Sequence, residues 1–373
     1  MKNNKGDIMN NLKKLGLSAL AGSLVAVSAQ AGEMAVSGSA NVVLKSGNQP
    51  ASALNQTGKT IGTDKDVAFT GTGELDNGFT FTFNTTLNDA YDVSSSFTSL
   101  TMGSLGTLTA GTDYGGNGGK YDEEVPQAYE QTSDAQQNSA NLIGNQMDNN
   151  AITYNSPTFE YAGASMRIDA GYSFMANGEG AGDGAQSTYS STKGAGYELG
   201  TTIKYEGVTL GIYGTERENT TPIVAANGDA QRDAFEGAWY ATYAYGPVTV
   251  GYSETYLDNA ISTVALTSAA AAKVVNDRDQ GGIFTSESMS IAFNVNDNLS
   301  ISYTDTDDTY DDQSNVKGGT EIEDVTQSSK AIQVAYSMGA MSIKAYNMET
   351  KNPTYDNDQD KESVTEIALG LAF

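Results

Sequence analysis

Residues 166–174 read MRIDAGYSF, and every second residue from Met166 to Phe174 is apolar or small, while those between are polar or Gly. A period of two is typical of a β-strand whose two faces meet different surroundings. The same alternation recurs in residues 79–83, 197–205, 208–212, 235–245, 248–252, 289–295, 299–303, 332–336, 341–343 and 367–373. The pattern predicts an all-β protein with one large sheet.

The connections between these segments alternate between short and long. Seven short ones are predicted to be tight turns, at residues 76–78, 103–106, 156–158, 206–207, 246–247, 296–298 and 339–340. Eight long polar stretches lie between them, at residues 46–65, 88–93, 114–149, 175–195, 217–233, 257–284, 305–328 and 349–362. Seven turns and eight loops join sixteen antiparallel strands.

The polar positions of the strands are mostly small residues, whereas a strand facing water on one side carries more Lys and Glu. Lipid cannot satisfy backbone N–H and C=O groups, so a sheet in a bilayer must close on itself. An even strand number with short turns at one end and long loops at the other is typical of a transmembrane β-barrel. At sixteen strands, water enters the lumen. We therefore predict such a barrel, with periplasmic turns and extracellular loops.

The composition excludes several classes of protein. The 373 residues include 46 acidic and 20 basic side chains, a net charge of −26, and neither His nor Cys. These counts exclude Ser/His/Asp and Cys/His nucleophiles, Cys/His metal cages and disulfides, and we expect no enzyme. The acidity argues against a nucleic-acid partner, because Lys and Arg provide the affinity for phosphates.

Residues 1–31 are predicted to be an export signal. Four lysines precede an apolar segment at residues 15–29, and Ala29-Gln30-Ala31 has the form of a cleavage site. The alternative is an N-terminal anchor helix, for which the apolar run is short and interrupted. The mature domain is expected to be residues 32–373.

Residues 114–149, the third loop, form one of the longest insertions and are rich in acids. The acidic residues at its root and along it are Asp113, Asp122, Glu123, Glu124, Glu130 and Asp134. If the loop folds outward, it is a solvated lid, and if it folds inward, these carboxylates line the narrowest part of the pore. We predict the inward fold, because Tyr121, Tyr129, Leu142 and Ile143 offer apolar anchors for the wall. Acidic rings attract cations.

The chain resembles the general diffusion porins of Gram-negative bacteria, and more closely those of alphaproteobacterial type. The resemblance lies in the export signal, in LTAGTDYG at residues 108–115, in ITYNSPTF at 152–159 and in the final strand ending at Phe373. It implies an outer-membrane homotrimer in which the third loop narrows each channel. It also implies that Phe373 is the signal read by the outer-membrane assembly machinery.

The resemblance further implies a cluster of Arg and Lys on the wall opposite the third loop. Alternation places Arg167 and Lys204 toward the lumen, and further candidates are Lys45, Arg217 and Lys344. The same alternation points Asp169, Glu198, Glu236 and Glu366 inward, so the basic side is thin and partly neutralised. This departure from the family pattern favours a preference for cations. The alternative is that each charge merely solvates the wall.

Two acidic clusters, at residues 305–312 and 356–360, offer the carboxylate oxygens that bind Ca²⁺. Neither has the Gly and Glu of an EF-hand. Solvated loops are the alternative reading, and we assign no cofactor and no metal ligand.

These features predict a passive channel in the outer membrane of a Gram-negative bacterium. Its partners would be outer-membrane lipid, two further copies of the chain, small hydrophilic solutes and cations. A secreted or surface adhesin without channel activity is the alternative, and it would show polar outward faces.

Overall fold

The computed structural model describes residues 32–49, 56–112, 116–133, 138–147, 151–174, 193–219, 233–258, 282–311 and 323–372. Several predicted features lie outside these ranges. They are the export signal 1–31, the acidic residues Asp113 and Asp134, and the assembly signal Phe373.

Sixteen strands form a single antiparallel sheet that closes into a barrel. They are Glu33–Gln49 (β1), Gln56–Glu74 (β2), Thr80–Leu87 (β3), Val93–Thr101 (β4), Thr107–Thr112 (β5), Ala151–Asn155 with Phe159–Tyr161 (β6), Ala164–Ser173 (β7), Lys193–Tyr205 (β8), Val208–Asn219 (β9), Ala234–Tyr245 (β10), Val248–Asp258 (β11), Ile283–Asn296 (β12), Leu299–Asp311 (β13), Val325–Met338 (β14), Met341–Lys351 (β15) and Glu362–Ala372 (β16). Each strand pairs with its neighbours in sequence, and β16 pairs with β1. The predicted sixteen-stranded barrel is confirmed.

Besides the α-helical residues 132–133, the described residues contain short 3₁₀ turns. They are Gly103–Leu105, Gly118–Lys120, Ser139–Leu142, Asn145–Met147 and Pro353–Tyr355. No helix in these parts of the chain is long and apolar enough to span a membrane.

The alternation read from the sequence sorts side chains between the outside and the lumen. On the outside, Ile291, Tyr303 and Ile332 lie side by side on β12, β13 and β14, and each is exposed. The inward positions next to them include Ser302 and Gln333, which are buried. An apolar outer belt around a polar interior is the reverse of a water-soluble barrel, and it matches a hydrocarbon environment.

One of the seven predicted turns is wrong. Residues 156–158 interrupt β6 and do not reverse the chain, because the Ser156 N–H still donates to the Ile168 carbonyl at 2.8 Å. Pro157 has no N–H to give to the ladder, which explains the break. The reversal comes at Ala162 and Gly163, where φ is +49° and +84°. Two successive positive φ values fit a two-residue hairpin turn.

The strands also extend further into the polar stretches than the sequence predicted. In the first predicted loop, 46–65, β1 continues to Gln49 and β2 begins at Gln56, paired residue by residue. In the seventh, 305–328, β13 continues to Asp311. Both extensions have polar residues on each face, so they lack the apolar alternation that marked the other strands.

A charge in the outer belt should destabilise the barrel. Ile332 is 65% exposed on the outside, and replacing it by Arg near the bilayer midplane is expected to cost about 2–4 kcal/mol. Unfolding by urea in lipid vesicles measures this loss. Ser99 faces the lumen on β4, so Ser99→Arg is the control and should unfold close to the wild type. Equal stability of the two variants would contradict the assignment of faces.

Candidate functional site

The third loop folds into the barrel, as predicted, and its contacts follow the wall from β6 to β16. The loop donates its hydrogen bonds mainly to inward-facing side chains of the strands. The wall residues that accept them include Asp169, Glu198, Ser302, Asp308, Gln333, Glu236 and Glu366. Loop backbone removed from water needs such partners, because an unpaired buried N–H is costly.

The root of the loop is held by two wall carboxylates. Tyr121 donates its hydroxyl to Asp169 at 2.8 Å, and Asn117 donates its amide to Glu198 at 2.8 Å. Tyr213 also donates to Glu198, at 2.7 Å, and its ring stacks on that of Tyr121 with centroids 5.3 Å apart. Both carboxylates are buried. The alternation placed them inward correctly, and the structure shows that they bind the loop.

The second half of the loop is fixed by Glu236 and Arg217. Glu236 accepts the N–H of Gly144 at 2.6 Å and that of Gln146 at 3.3 Å. Arg217 donates to the carbonyl oxygen of Gln146 at 2.8 Å and is only 2% exposed. The sequence predicted Arg217 as part of a basic pore wall, but its side chain lies beneath the loop, where the guanidinium donates a hydrogen bond to the loop backbone at Gln146.

The middle of the loop crosses to the far wall at Tyr129. Its N–H donates to Gln333 at 2.7 Å, and its hydroxyl donates to Glu366 at 2.5 Å. Lys45 lies 3.4 Å from the same Glu366 carboxylate, and Lys344 lies 5.2 Å from the centre of the Tyr129 ring. Lys45 and Lys344 therefore lie on the inward side of the wall, next to the contact between Tyr129 and Glu366.

Glu123 was predicted to line the narrowest part of the pore, but in the structure its side chain is buried between the third loop and the wall. Its carboxylate accepts from the N–H of Ser133 at 2.7 Å and from the hydroxyls of Thr306 and Ser288, and its side chain is 1% exposed. It binds the loop to the wall and does not line open water. Asp122 beside it is also buried.

Burial is the largest cause of the raised pKa of the Glu123 carboxyl, and the hydrogen bonds from Ser133 and Thr306 act in the opposite direction. Of the other predicted acids, Glu124 and Glu130 are half-buried on the loop. Asp113 and Asp134 fall in undescribed segments, so their prediction stays open.

The basic side of the predicted pore gathers near the root of the loop. Arg167 lies 3.1 Å from Asp169 and is partly exposed. Lys204 is exposed on the neighbouring strand β8, at the position that pairs with Ser165 of β7. Lys120, the loop's own base, donates to Asn117 at 2.6 Å and lies 3.5 Å from Asp169. Burial lowers the pKa of the Lys120 ammonium, against the opposing effect of Asp169.

The wall away from the loop's anchors, on β1 to β5, is mostly neutral and polar. Its inward side chains include Asn41, Thr70 and Asn84, and Asn84 donates to Thr70 at 2.9 Å. Asp64, Asp66 and, at the end of the strand, Glu74 are the acids at the inward positions of β2. Among the described inward positions of β1 to β5, Lys45 is the single base. The basic cluster of the family pattern is absent from this part of the wall.

The acidic cluster at residues 305–312 lies mostly on β13, which directs alternate side chains to opposite faces of the sheet. Asp305 faces outward, 2.9 Å from Lys330, whereas Asp308 faces inward toward the third loop. In the described parts of the chain, no three acidic side chains are placed to hold a metal ion. Asp312, the last member of this cluster, is not described.

Removing the charge of Glu123 should stabilise the docked loop at neutral pH. A carboxyl whose pKa is raised by folding stabilises the fold below its ordinary pKa, and that contribution is lost as the pH rises through the folded value. Glu123→Gln keeps the three partners without a buried charge, so we expect a Tm about 2 °C above wild type at pH 8.

The difference between Glu123→Gln and wild type should vanish near pH 4, where the carboxyl is protonated. Heating the detergent-solubilised protein at both pH values measures it. The adjacent Glu124→Gln is the control, because Glu124 is half-buried and should show a smaller change. A lower Tm for Glu123→Gln at pH 8 would contradict this account.

Comparison with solved structures supports the same architecture. A porin structure refined at 1.8 Å resolution matches with a TM-score of 0.57 and 12% identity, covering 91% of this chain and 100% of the other. The anion-selective porin from Comamonas acidovorans matches with a TM-score of 0.58 and 14% identity, covering 92% and 100%. OmpT of Vibrio cholerae, folded in vitro, has a TM-score of 0.59 and 12% identity, covering 93% and 99%. At these identities the likeness establishes the fold alone.

A comparison with curated protein sequences finds no significant match. The family model described as Gram-negative porin matches residues 16–372, nearly the whole chain. The closed barrel, the apolar outer belt and the inward third loop agree with that match. This chain therefore belongs to the family of Gram-negative porins, the channel-forming barrels of the outer membrane.

Proposed function

We propose that this porin is a water-filled channel through which small hydrophilic solutes and ions diffuse passively, with a preference for cations. The observation that supports the preference is the wall of β1 to β5 described above. It has Asp64 and Asp66 at inward positions, and its single described base, Lys45, lies against Glu366. The family and the fold are those of non-enzymatic channels.

The open passage would run between the third loop and the inward faces of β1 to β5. The loop carries the half-buried Glu124 and Glu130, and the wall has Asp64 and Asp66 at inward positions. Carboxylates on both sides of a narrow, water-filled passage raise the local concentration of cations and lower that of anions. The bases near the loop root, Lys120, Arg167 and Lys204, would weaken this preference without reversing it.

The fold does not set the sign of selectivity. The Comamonas acidovorans porin, named as anion-selective, has the same fold at 14% identity. The sign must therefore follow from the charges along the passage. In this chain 46 acidic residues oppose 20 basic ones, and the described wall facing the loop has more acids than bases.

We propose a homotrimer in the outer membrane, in contact with lipid through the apolar belt. The support is the trimer form described for OmpT of Vibrio cholerae, a structural neighbour. A detergent extract run on a gel without heating should show a band of three chains that converts to one chain on boiling. A single-chain band under both conditions would contradict the trimer.

The reversal potential of the purified protein in a planar bilayer under a salt gradient tests the channel directly. We expect steady stepwise conductance and a potential directed toward cations, because carboxylates dominate the passage. A preference for anions would still be consistent with a channel, but it would contradict the proposal that carboxylates determine its selectivity. Folded protein without any conductance would favour a surface adhesin instead.

Neutralising the wall acids should reduce the preference for cations. The double variant Asp64→Asn with Asp66→Asn removes two charges from the passage, and we expect the cation-to-anion permeability ratio to fall about twofold, less in high salt. Reversal potentials at low and high salt measure the change. The control is Asp307→Asn, since Asp307 is exposed on the outer face of β13. An unchanged permeability ratio in the double variant would show that Asp64 and Asp66 do not determine the selectivity.

A further inference from the structure

Asp308 connects two loops inside the barrel. It lies at an inward position of β13 and is fully buried. Its carboxylate accepts from the N–H of Ser139 at 2.6 Å and from the Ser139 hydroxyl at 2.8 Å, both in the third loop. It also accepts from the Tyr355 hydroxyl at 2.6 Å. Tyr355 belongs to the last loop, residues 352–361, which joins β15 to β16.

The last loop reaches Asp308 through a strained backbone. Three of its residues other than Gly have left-handed φ values, +50° at Asn352, +58° at Thr354 and +56° at Tyr355. Such conformations persist only where the surroundings impose them. Here Asn352 donates its side-chain amide to the carbonyl of Thr326, and the Thr354 N–H donates to Gln327, each at 2.9 Å.

The two loops share an apolar contact as well as Asp308. The Tyr355 ring lies 5.3 Å from that of Phe284 and 5.8 Å from that of Tyr310, centre to centre. Leu142 of the third loop packs against the same cluster. Leu142 ends the short 3₁₀ turn Ser139–Leu142, in which the N–H of Ala140 donates to the Asn138 side chain at 2.8 Å. One short turn of the third loop therefore meets the last loop directly through the apolar cluster and indirectly through Asp308 of β13, to which both loops donate hydrogen bonds.

We propose that Tyr355 is a positioning residue for the constriction of the channel. Its hydroxyl holds the Asp308 carboxylate in the orientation that accepts Ser139, so the last loop fixes the distal half of the third loop against the wall. When Tyr355 leaves, Asp308 loses one of its donors and the strained segment relaxes away from it. The third loop then moves into the passage and back, and the conductance fluctuates. The proposal rests on the proposed channel function.

The test is Tyr355→Phe, which keeps the ring in its aromatic cluster and removes the hydroxyl. In planar bilayers we expect transitions to sub-conductance levels to be about tenfold more frequent than in wild type, because one of the donors to a buried carboxylate is lost. The control is Tyr303→Phe on β13, the strand that contains Asp308, since Tyr303 lies on the outer face. It should be as steady as wild type, and a steady Tyr355→Phe channel would overturn the proposal.

A double-mutant cycle separates positioning from a general loss of stability. If Tyr355 acts on the third loop through Asp308 and Ser139, then Ser139→Ala raises the transition frequency too, and the double variant is no worse than the poorer single one. If the double variant instead shows the product of the two single increases in transition frequency, Tyr355 acts by a route that does not include Ser139. All variants must first migrate as folded protein on an unheated gel.

A readout without conductance distinguishes this proposal from the channel function. The chain has no Cys, so a single Asn141→Cys in the third loop can be labelled cleanly with a charged thiol reagent. We expect labelling about tenfold faster when Tyr355→Phe is added, since the loop leaves the wall more often. If wild type carries no current, the proposed channel fails, and the labelling rate still decides the role of Tyr355. Equal rates would reject it.

Discussion

Every backbone group that faces hydrocarbon must find its partner within the protein, because lipid offers no hydrogen bonds. The pairing of β16 with β1 meets this requirement by leaving the sheet without an edge. Closure then determines the rest of the structure. A sheet of sixteen strands encloses more space than its own side chains fill, so a loop can enter the lumen. That loop in turn brings backbone groups away from water, and they need partners of their own.

The wall supplies those partners as carboxylates and amides placed at alternate strand positions. Asp169, Glu236 and Asp308 accept loop donors, while Glu123 of the loop binds hydroxyls of the wall. A buried carboxylate is costly unless its oxygens accept hydrogen bonds. The same hydrogen bonds thus provide acceptors for the loop's buried donors and donors for the buried carboxylates. Inward acids that look like a cation lining in the sequence are, in the structure, largely the attachment of the third loop.

The barrel could be predicted from sequence because lipid and water impose opposite polarity on alternate residues, as at Ile291 and Ile332. The prediction was wrong where that contrast ends. The hairpin of β1 and β2 above the apolar belt is polar on both faces, so its strands were predicted as loop. The segment around Pro157 was predicted to be a turn, although the chain continues there without reversing. The anchors of the third loop were only partly predictable. Alternation shows that Glu236 points inward, but not that Gly144 meets it 92 residues away along the chain.

The order of the strands along the chain has a consequence for assembly. Tyr129 of the third loop is held by Glu366, which lies on β16, the strand that closes the barrel against β1. Until β16 takes its place beside β1, the middle of the third loop lacks this partner on the far wall. The narrowing of the passage is thus completed by the same event that seals the barrel. A half-assembled barrel would be both leaky at its seam and unconstricted, so a single step of maturation removes both defects.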